Sequence, residues 1–309
     1  MPLALPGPIE LGASPEVKRG HAHPMAPMVR VGAVRYRLNA LRAIPMPSMN
    51  NSKRRMFCAL LAAALFASAP GIRAATPANI AAAADLQFAL AEIAESFRRS
   101  TGQELNIAFG SSGNFRRQIA EGAPFEMFLS ADEAYVEALA AEGRTEGAGV
   151  RYATGRIALF VPAGSPLRPD SMLADLGAAA RDGRLKRFAI ANPEHAPYGR
   201  AAREALEKTG VWSLVAPRLV LGENVSQAAQ FAASGATQGG IIAYSLARSP
   251  ALAGKGEAVL LSSSLHAPLH QRMVLTRRAG PVARAFFAYM QQPSARAVLR
   301  KYGFSLPEG

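Results

Sequence analysis

From about residue 78 onward, short apolar runs alternate with longer stretches in which apolar residues recur every three to four positions. The short runs carry the signature of strands and the long ones that of amphipathic helices. "ANIAAAA" reads as a strand, and "LQFALAEIAESFRRS" as a helix with Leu86, Leu90, Ile93, Ala94 and Phe97 on one face. After the turn "TGQ", "ELNIAFG" is a strand, "NFRRQIAEG" a short helix closed by Gly122, "FEMFLSAD" a strand and "EAYVEALAAEG" a helix ending at Gly143. "RIALFVPAG" and "RFAIANP" are further strands, followed by the helix "GRAAREALEKTG". "PRLVLGE" leads into the helix "NVSQAAQFAASG", then come the strands "QGGIIAYS", "AVLLSS" and "QRMVLTRR", and two helices over about 281–291 and 294–302. Strands alternating with helices predict an α/β fold with largely parallel sheets.

In such sheets a ligand sits outside the carboxyl ends of the strands, where helix N-termini converge. Four strand-to-helix junctions are built of small, polar or glycine-containing segments: "AAAADL" (81–86), "FGSSGNF" (109–115), "NPEHAPYGR" (192–200) and "LGENVSQ" (221–227). "FGSSGNF" is the sharpest. Gly110 and Gly113 let the backbone turn tightly, Ser111 and Ser112 offer hydroxyl donors, and the helix behind them offers unpaired N–H groups. That is an anion cradle; a plain serine N-cap is the simpler reading of the same residues. In "NPEHAPYGR", Tyr198 opens a helix and has a hydroxyl to donate, and His195 shares its turn. At the first junction the backbone N–H groups near Ala84–Leu86 are candidate donors. Asp85 is expected to cap its own helix, accepting from an N–H near Phe88. Facing the cleft ionised, it would instead repel a dianion and favour a protonated ligand.

The residues before this pattern differ in kind. From Met49, a basic head (Lys53, Arg54, Arg55), an apolar run over Met56–Ala69 and small residues beyond it have the layout of a secretory signal peptide. The run is shorter than the roughly 20 residues of a membrane-spanning helix. Residues 49–75 are therefore read as a signal peptide and the mature chain as exported. Residues 1–48, rich in Pro, Arg and Met, are read as lying upstream of a true start at Met49, or else as a disordered tail. The single cysteine, Cys58, lies inside the apolar run, in "RMFC", without a lipobox, so neither a disulfide nor a lipid anchor is expected.

Charge changes the picture only slightly. The net charge of +13 is concentrated at the N-terminus: ten of the 35 Lys/Arg but two of the 22 Asp/Glu lie in residues 1–75, leaving 25 basic against 20 acidic and a net of +5. That suits a small anion, and without a basic stripe interleaved with aromatics no nucleic-acid partner is expected.

The stretches "FGSSGNFRRQIAEGAPFEMFLSAD" (109–132), "ANPEHAPYGRAAREALEKTGVW" (191–212) and "AFFAYMQQPSARAVLRKYGF" (285–304) resemble the periplasmic molybdate-binding proteins of ABC transporters, within the type II periplasmic binding-protein superfamily. The resemblance runs from about Asn79 to Phe304. It implies two α/β lobes, each a mostly parallel sheet flanked by helices, with an oxyanion in the cleft between them. The crossings would fall near Thr154–Ile157 and Tyr244–Ala251, giving lobe one as 76–155 and 252–309 and lobe two as 156–251. It also implies that a tetrahedral dianion is held by neutral donors: Ser112, with Ser111 beside it, the Tyr198 hydroxyl and main-chain contacts at Ala84, Asp85 and Val225. No metal is bound directly and no cofactor is needed.

Two positions depart from the pattern. Many members have Ser where this chain has Asp85, and a cleft Tyr where an ungapped reading of "GGIIAYS" places Ala243, with Tyr244 one residue on and on the opposite strand face. A branch with Asn in the first loop and its Tyr in the "P-Y-G" turn is more similar. The function implied is a monomeric periplasmic solute-binding protein that captures molybdate or tungstate and delivers it to the permease of an ABC importer. Two alternatives stand beside it. One is a binder of another tetrahedral oxyanion, sulfate or phosphate. The other is a hydrolase using Ser111 or Ser112 with His195 as base and Asp132 as acid, although "FGSSG" is not the G-x-S-x-G elbow and an enzyme is not expected.

Overall fold

The computed structural model describes residues 76–307. The expected signal peptide and the segment 1–48 lie outside the described residues. Two five-stranded sheets make up the fold. The first comprises β1 (Ala78–Ala83), β2 (Leu105–Gly110), β3 (Met127–Ser130), β4 (Val150–Gly155) and β10 (Leu269–Leu275), in the order β2-β1-β3-β10-β4. The second comprises β5 (Ile157–Pro162), β6 (Phe188–Ala191), β7 (Leu219–Gly222), β8 (Gly240–Ala243) and β9 (Gly256–Leu260), in the order β7-β6-β8-β5-β9.

Both sheets are mixed. β2, β1 and β3 pair in parallel, and β10 runs antiparallel to β3 and β4. In the second sheet β7, β6 and β8 pair in parallel, and β5 runs antiparallel to β8 and β9. One strand in each sheet thus opposes the rest. Each sheet is therefore largely parallel, as expected; the single opposing strand is not foreseen, because a run of apolar residues carries no information about strand direction.

The helices are α1 (Gln87–Thr101), α2 (Ser112–Ala120), α3 (Glu133–Ala141), α4 (Ala174–Asp182), α5 (Pro197–Lys208), α6 (Trp212–Val215), α7 (Val225–Ala233), α8 (Tyr244–Ala247), α9 (Pro281–Tyr289) and α10 (Pro293–Lys301). Each starts and stops for local reasons. α1 buries Leu90, Ile93 and Phe97, and ends where Gly102 turns left-handed (φ 70°) and donates to the Arg98 carbonyl. Asp132 caps α3 through the Ala134 N–H, and Asn224 caps α7 through those of Ser226 and Gln227. α4 escapes a pattern reading because its own N-cap, Leu173, is left-handed; Asp170, further upstream, accepts from the N–H groups of Met172, Ala174 and Asp175 instead.

Each sheet has its own core. Ile80, Leu90, Phe97 and Phe286 pack around the first, with the Phe97 and Phe286 rings edge to face at 5.2 Å. Leu159, Phe188, Ile190, Leu206 and Ile241 pack around the second. The chain passes from the first sheet to the second at Arg156, between β4 and β5. Its return differs from the expected boundary at 252. β9 still belongs to the second sheet, where Ala158 pairs with Leu260 and Pro162 with Gly256, so the crossing lies between Leu260 and Leu269. β9 covers an edge of β5 that would otherwise be left unpaired, a tertiary demand that its sequence does not display.

Candidate functional site

β1 and β2 are parallel neighbours in one sheet, and β6 and β7 in the other. The segments that follow their carboxyl ends meet in one cavity, lined by Ala83–Asp85, Gly110–Ser112, Ala131, Ala196–Tyr198 and Asn224–Val225. All four junctions singled out in the sequence contribute. Ala84, Asp85, Ser111, Ser112, Tyr198 and Val225 are all buried and all line this cavity. First residues of α2, α5 and α7 and of the 3-10 turn Ala84–Leu86 line it, so the positive ends of these helices lie at the cavity. Asn224 already accepts from Ser226 and Gln227, which leaves the Val225 amide for a ligand.

Asp85 is not a cap. The helical path begins at Ala84, so Asp85 falls inside the first turn rather than ahead of it, and neither the turn nor α1 has a side-chain cap bond. The carboxylate reaches across the cleft instead. Its Oδ2 accepts from the Tyr198 hydroxyl at 2.9 Å and from Gln271 Nε2 at 2.7 Å. Its Oδ1 is buried with no hydrogen-bond partner. Burial raises the Asp85 pKa from 3.8 to about 6, against the opposing pull of the Gln271 and Tyr198 hydrogen bonds. Tyr198 and Tyr152 are both pushed well above the ordinary phenol range, by burial first and by the nearby Asp85 charge second, so both are neutral donors.

This raised pKa has a consequence for stability. Folding favours the protonated carboxyl, so the stabilisation it contributes is complete below the unfolded value and is lost as pH rises through the folded value. Between about pH 4 and pH 7, ligand-free wild type should lose on the order of 3 kcal/mol relative to Asp85→Asn. Urea unfolding of both proteins across that range checks this, and parallel profiles would refute it.

The two serines separate. Ser112 Oγ accepts from the Ala131 N–H at 3.0 Å, which leaves its hydrogen free to donate to a ligand. Ser111 Oγ donates to the His195 carbonyl at 2.5 Å, and the Gly113 N–H donates to the same carbonyl at 3.0 Å. Ser111 therefore clasps the two sides of the cleft together. Asn114 to Glu223, Ser226 to Gln87 and Ser245 to the Asp85 carbonyl add to the clasp. The hydrolase arrangement is only half assembled. His195 Nδ1 lies 2.9 Å from Ser111 Oγ, but Asp132 caps α3 and pairs with Arg200.

Pattern reading missed Gln271 and Tyr152. Gln271 is fully buried in β10, donates to Asp85 and Tyr198, and accepts from the Tyr152 hydroxyl at 2.7 Å. A signal existed: two residues along the strand from Leu269, a glutamine sits on a face that is otherwise apolar. Tyr244 takes no part in the cavity. It stacks with Arg248 and packs against Gly303, while Ala243 ends β8, so Tyr198 is the phenol at the site. Among the described residues, no cluster of His, Cys, Asp or Glu could hold a metal ion, and no helix is long and apolar enough to cross a membrane.

Residues 78–305 match the family model of the bacterial extracellular solute-binding proteins. The molybdate-binding protein ModA of Rhodobacter capsulatus is 37% identical over 246 residues, which cover 78% of this chain and 90% of that protein. ModA of Azotobacter vinelandii is 34% identical, over 84% of this chain and the whole of that one. Among solved structures, the periplasmic molybdate-binding protein of Azotobacter vinelandii superposes with a TM-score of 0.67 at 28% identity, over 75% of this chain and 100% of that one.

Proposed function

The chain belongs to the bacterial extracellular solute-binding proteins and, among them, to the molybdate-binding family, and from that premise we propose that it captures molybdate in the periplasm and hands it to the permease of an ABC importer. One observation carries the reading. The cavity presents hydroxyls and main-chain N–H groups at converging helix ends, and no lysine or arginine lines it. Apart from Asp85 these groups donate, which favours an oxyanion that brings no proton of its own, since a buried ligand hydroxyl without an acceptor costs about 1–3 kcal/mol. Molybdate and tungstate are both unprotonated near neutral pH, and tungstate is the natural second ligand. Sulfate is also unprotonated but smaller, so only the size of the opened cavity can set it apart.

The cavity has a volume of about 10 Å³, near the lower limit for a single water. Admitting a tetrahedral oxyanion requires its walls to part, and the Tyr198–Asp85 bond is one of the contacts across the cleft that parting would loosen. The freed Tyr198 hydroxyl then becomes a donor to the anion.

A second reading has one observation behind it. Asp85 in the cleft is an acceptor, so it could take the proton of hydrogen phosphate. A thermal-unfolding panel with molybdate, tungstate, sulfate and phosphate separates the two. At a ligand concentration 100 times Kd the stabilisation is about 2.7 kcal/mol. Molybdate and tungstate should give it; a shift with phosphate alone would overturn the proposal.

A further inference from the structure

We infer that this site takes up its oxyanion together with one proton, carried on Asp85, so that the carboxyl group acts as a neutral donor to the bound anion. The inference rests on the oxyanion reading above. Asp85 lines the cavity and is 1% exposed. One of its oxygens is fully engaged by Tyr198 and Gln271; the other is buried and unpartnered, the atom left over for a ligand.

The groups facing this carboxyl are Tyr198 from α5, Gln271 from β10 and, through Gln271, Tyr152 from β4, while Ser245 from α8 binds its main-chain carbonyl. None is a cation. The other titratable side chain near the cavity, His195, sits against Ser111 Oγ, with Nε2 3.6 Å from Glu223. The helix N-termini supply about half a positive charge each. That can balance a dianion, but not a dianion and a carboxylate in one buried space. A proton from solvent onto Oδ1 removes the third negative charge and turns an unpaired acceptor into a donor; no covalent bond besides this O–H forms or breaks. Burial already holds the Asp85 pKa at about 6, and a dianion in contact pushes it further up. Turning the Tyr198 hydroxyl toward the anion removes a donor that favoured the ionised form, which acts in the same direction.

Only the protonated fraction of the free protein is then competent, so the apparent affinity falls with that fraction. From pH 6 to pH 8, where molybdate itself carries no proton, the affinity should weaken about fiftyfold. The test is isothermal titration with sodium molybdate at pH 6, 7 and 8, in buffers of different ionisation heat, on wild type, Asp85→Asn and His195→Gln. Wild type and His195→Gln should take up close to one proton per molybdate at pH 8 and show the pH slope. Asp85→Asn should show neither, and should bind more tightly than wild type at pH 8. The wild-type proton count stands by itself if a variant does not fold. Molybdate binding without proton uptake overturns this inference and leaves the proposed function intact. So does uptake that persists in Asp85→Asn and disappears in His195→Gln. Absence of molybdate binding at every pH overturns both.

Discussion

Gly155→Ala should weaken molybdate binding by more than about a hundredfold while the protein still folds. Gly155 ends β4, pairs with Leu269 and does not have a positive φ, so its backbone would accept alanine. The obstacle is space. A Cβ at this position would overlap the Tyr198 hydroxyl and stand 2.7 Å from Gln271 Nε2. Those two side chains hold Asp85, and Tyr198 is the phenol at the cavity. An extra methyl in a packed interior costs about 1–3 kcal/mol, which a chain with two cores should survive. Displacing a hydroxyl by about an ångström from a ligand-binding position removes its hydrogen bond altogether. Calorimetric Kd values beside circular-dichroism melts of both proteins check this; affinity within threefold of wild type would refute it.

Ser112→Ala should cost on the order of a hundredfold in molybdate affinity, about 3 kcal/mol, the upper range for a hydrogen bond to a charged group. The serine does two things at once: its oxygen accepts from the buried Ala131 amide, and its hydrogen remains for the anion. Alanine removes the donor and leaves the amide unpaired, so a stability loss of about 1–3 kcal/mol should accompany the loss of binding. Ser111→Ala is the informative contrast. Ser111 donates to the His195 carbonyl, which the Gly113 amide also serves, so its loss weakens the clasp without removing a ligand donor. Titration calorimetry on both variants decides between them, and a larger effect at Ser111 than at Ser112 would reverse these roles.

Much of this site is legible in the sequence. Strand-to-helix junctions rich in Gly, Ser and Pro carry local signals, because a tight turn, an N-cap and a proline at the first helical position are consequences of nearest-neighbour chemistry. The chain order "FGSSGNF", "NPEHAPYGR", "LGENVSQ" therefore announced three of the walls, and "AAAADL" the fourth. Asp85 departs from its local pattern for the same reason. A carboxylate at a helix start has a good local explanation as a cap, and the turn beginning one residue earlier, at Ala84, was enough to defeat it. Nothing within ten residues of Asp85 hints at Gln271, which lies 186 positions away.

The sequence by itself determined the alternation of strands and helices, the junctions where an anion could sit and the hydroxyls available there, since each depends on residues close together along the chain. Tertiary structure alone decided which strand opposes its sheet, that β9 stays with the second sheet, that Ser111 clasps while Ser112 is left to donate, and that Asp85 faces the cleft with one oxygen unpaired. Those outcomes depend on which distant groups share a desolvated space, where a buried carboxylate must find donors or take a proton.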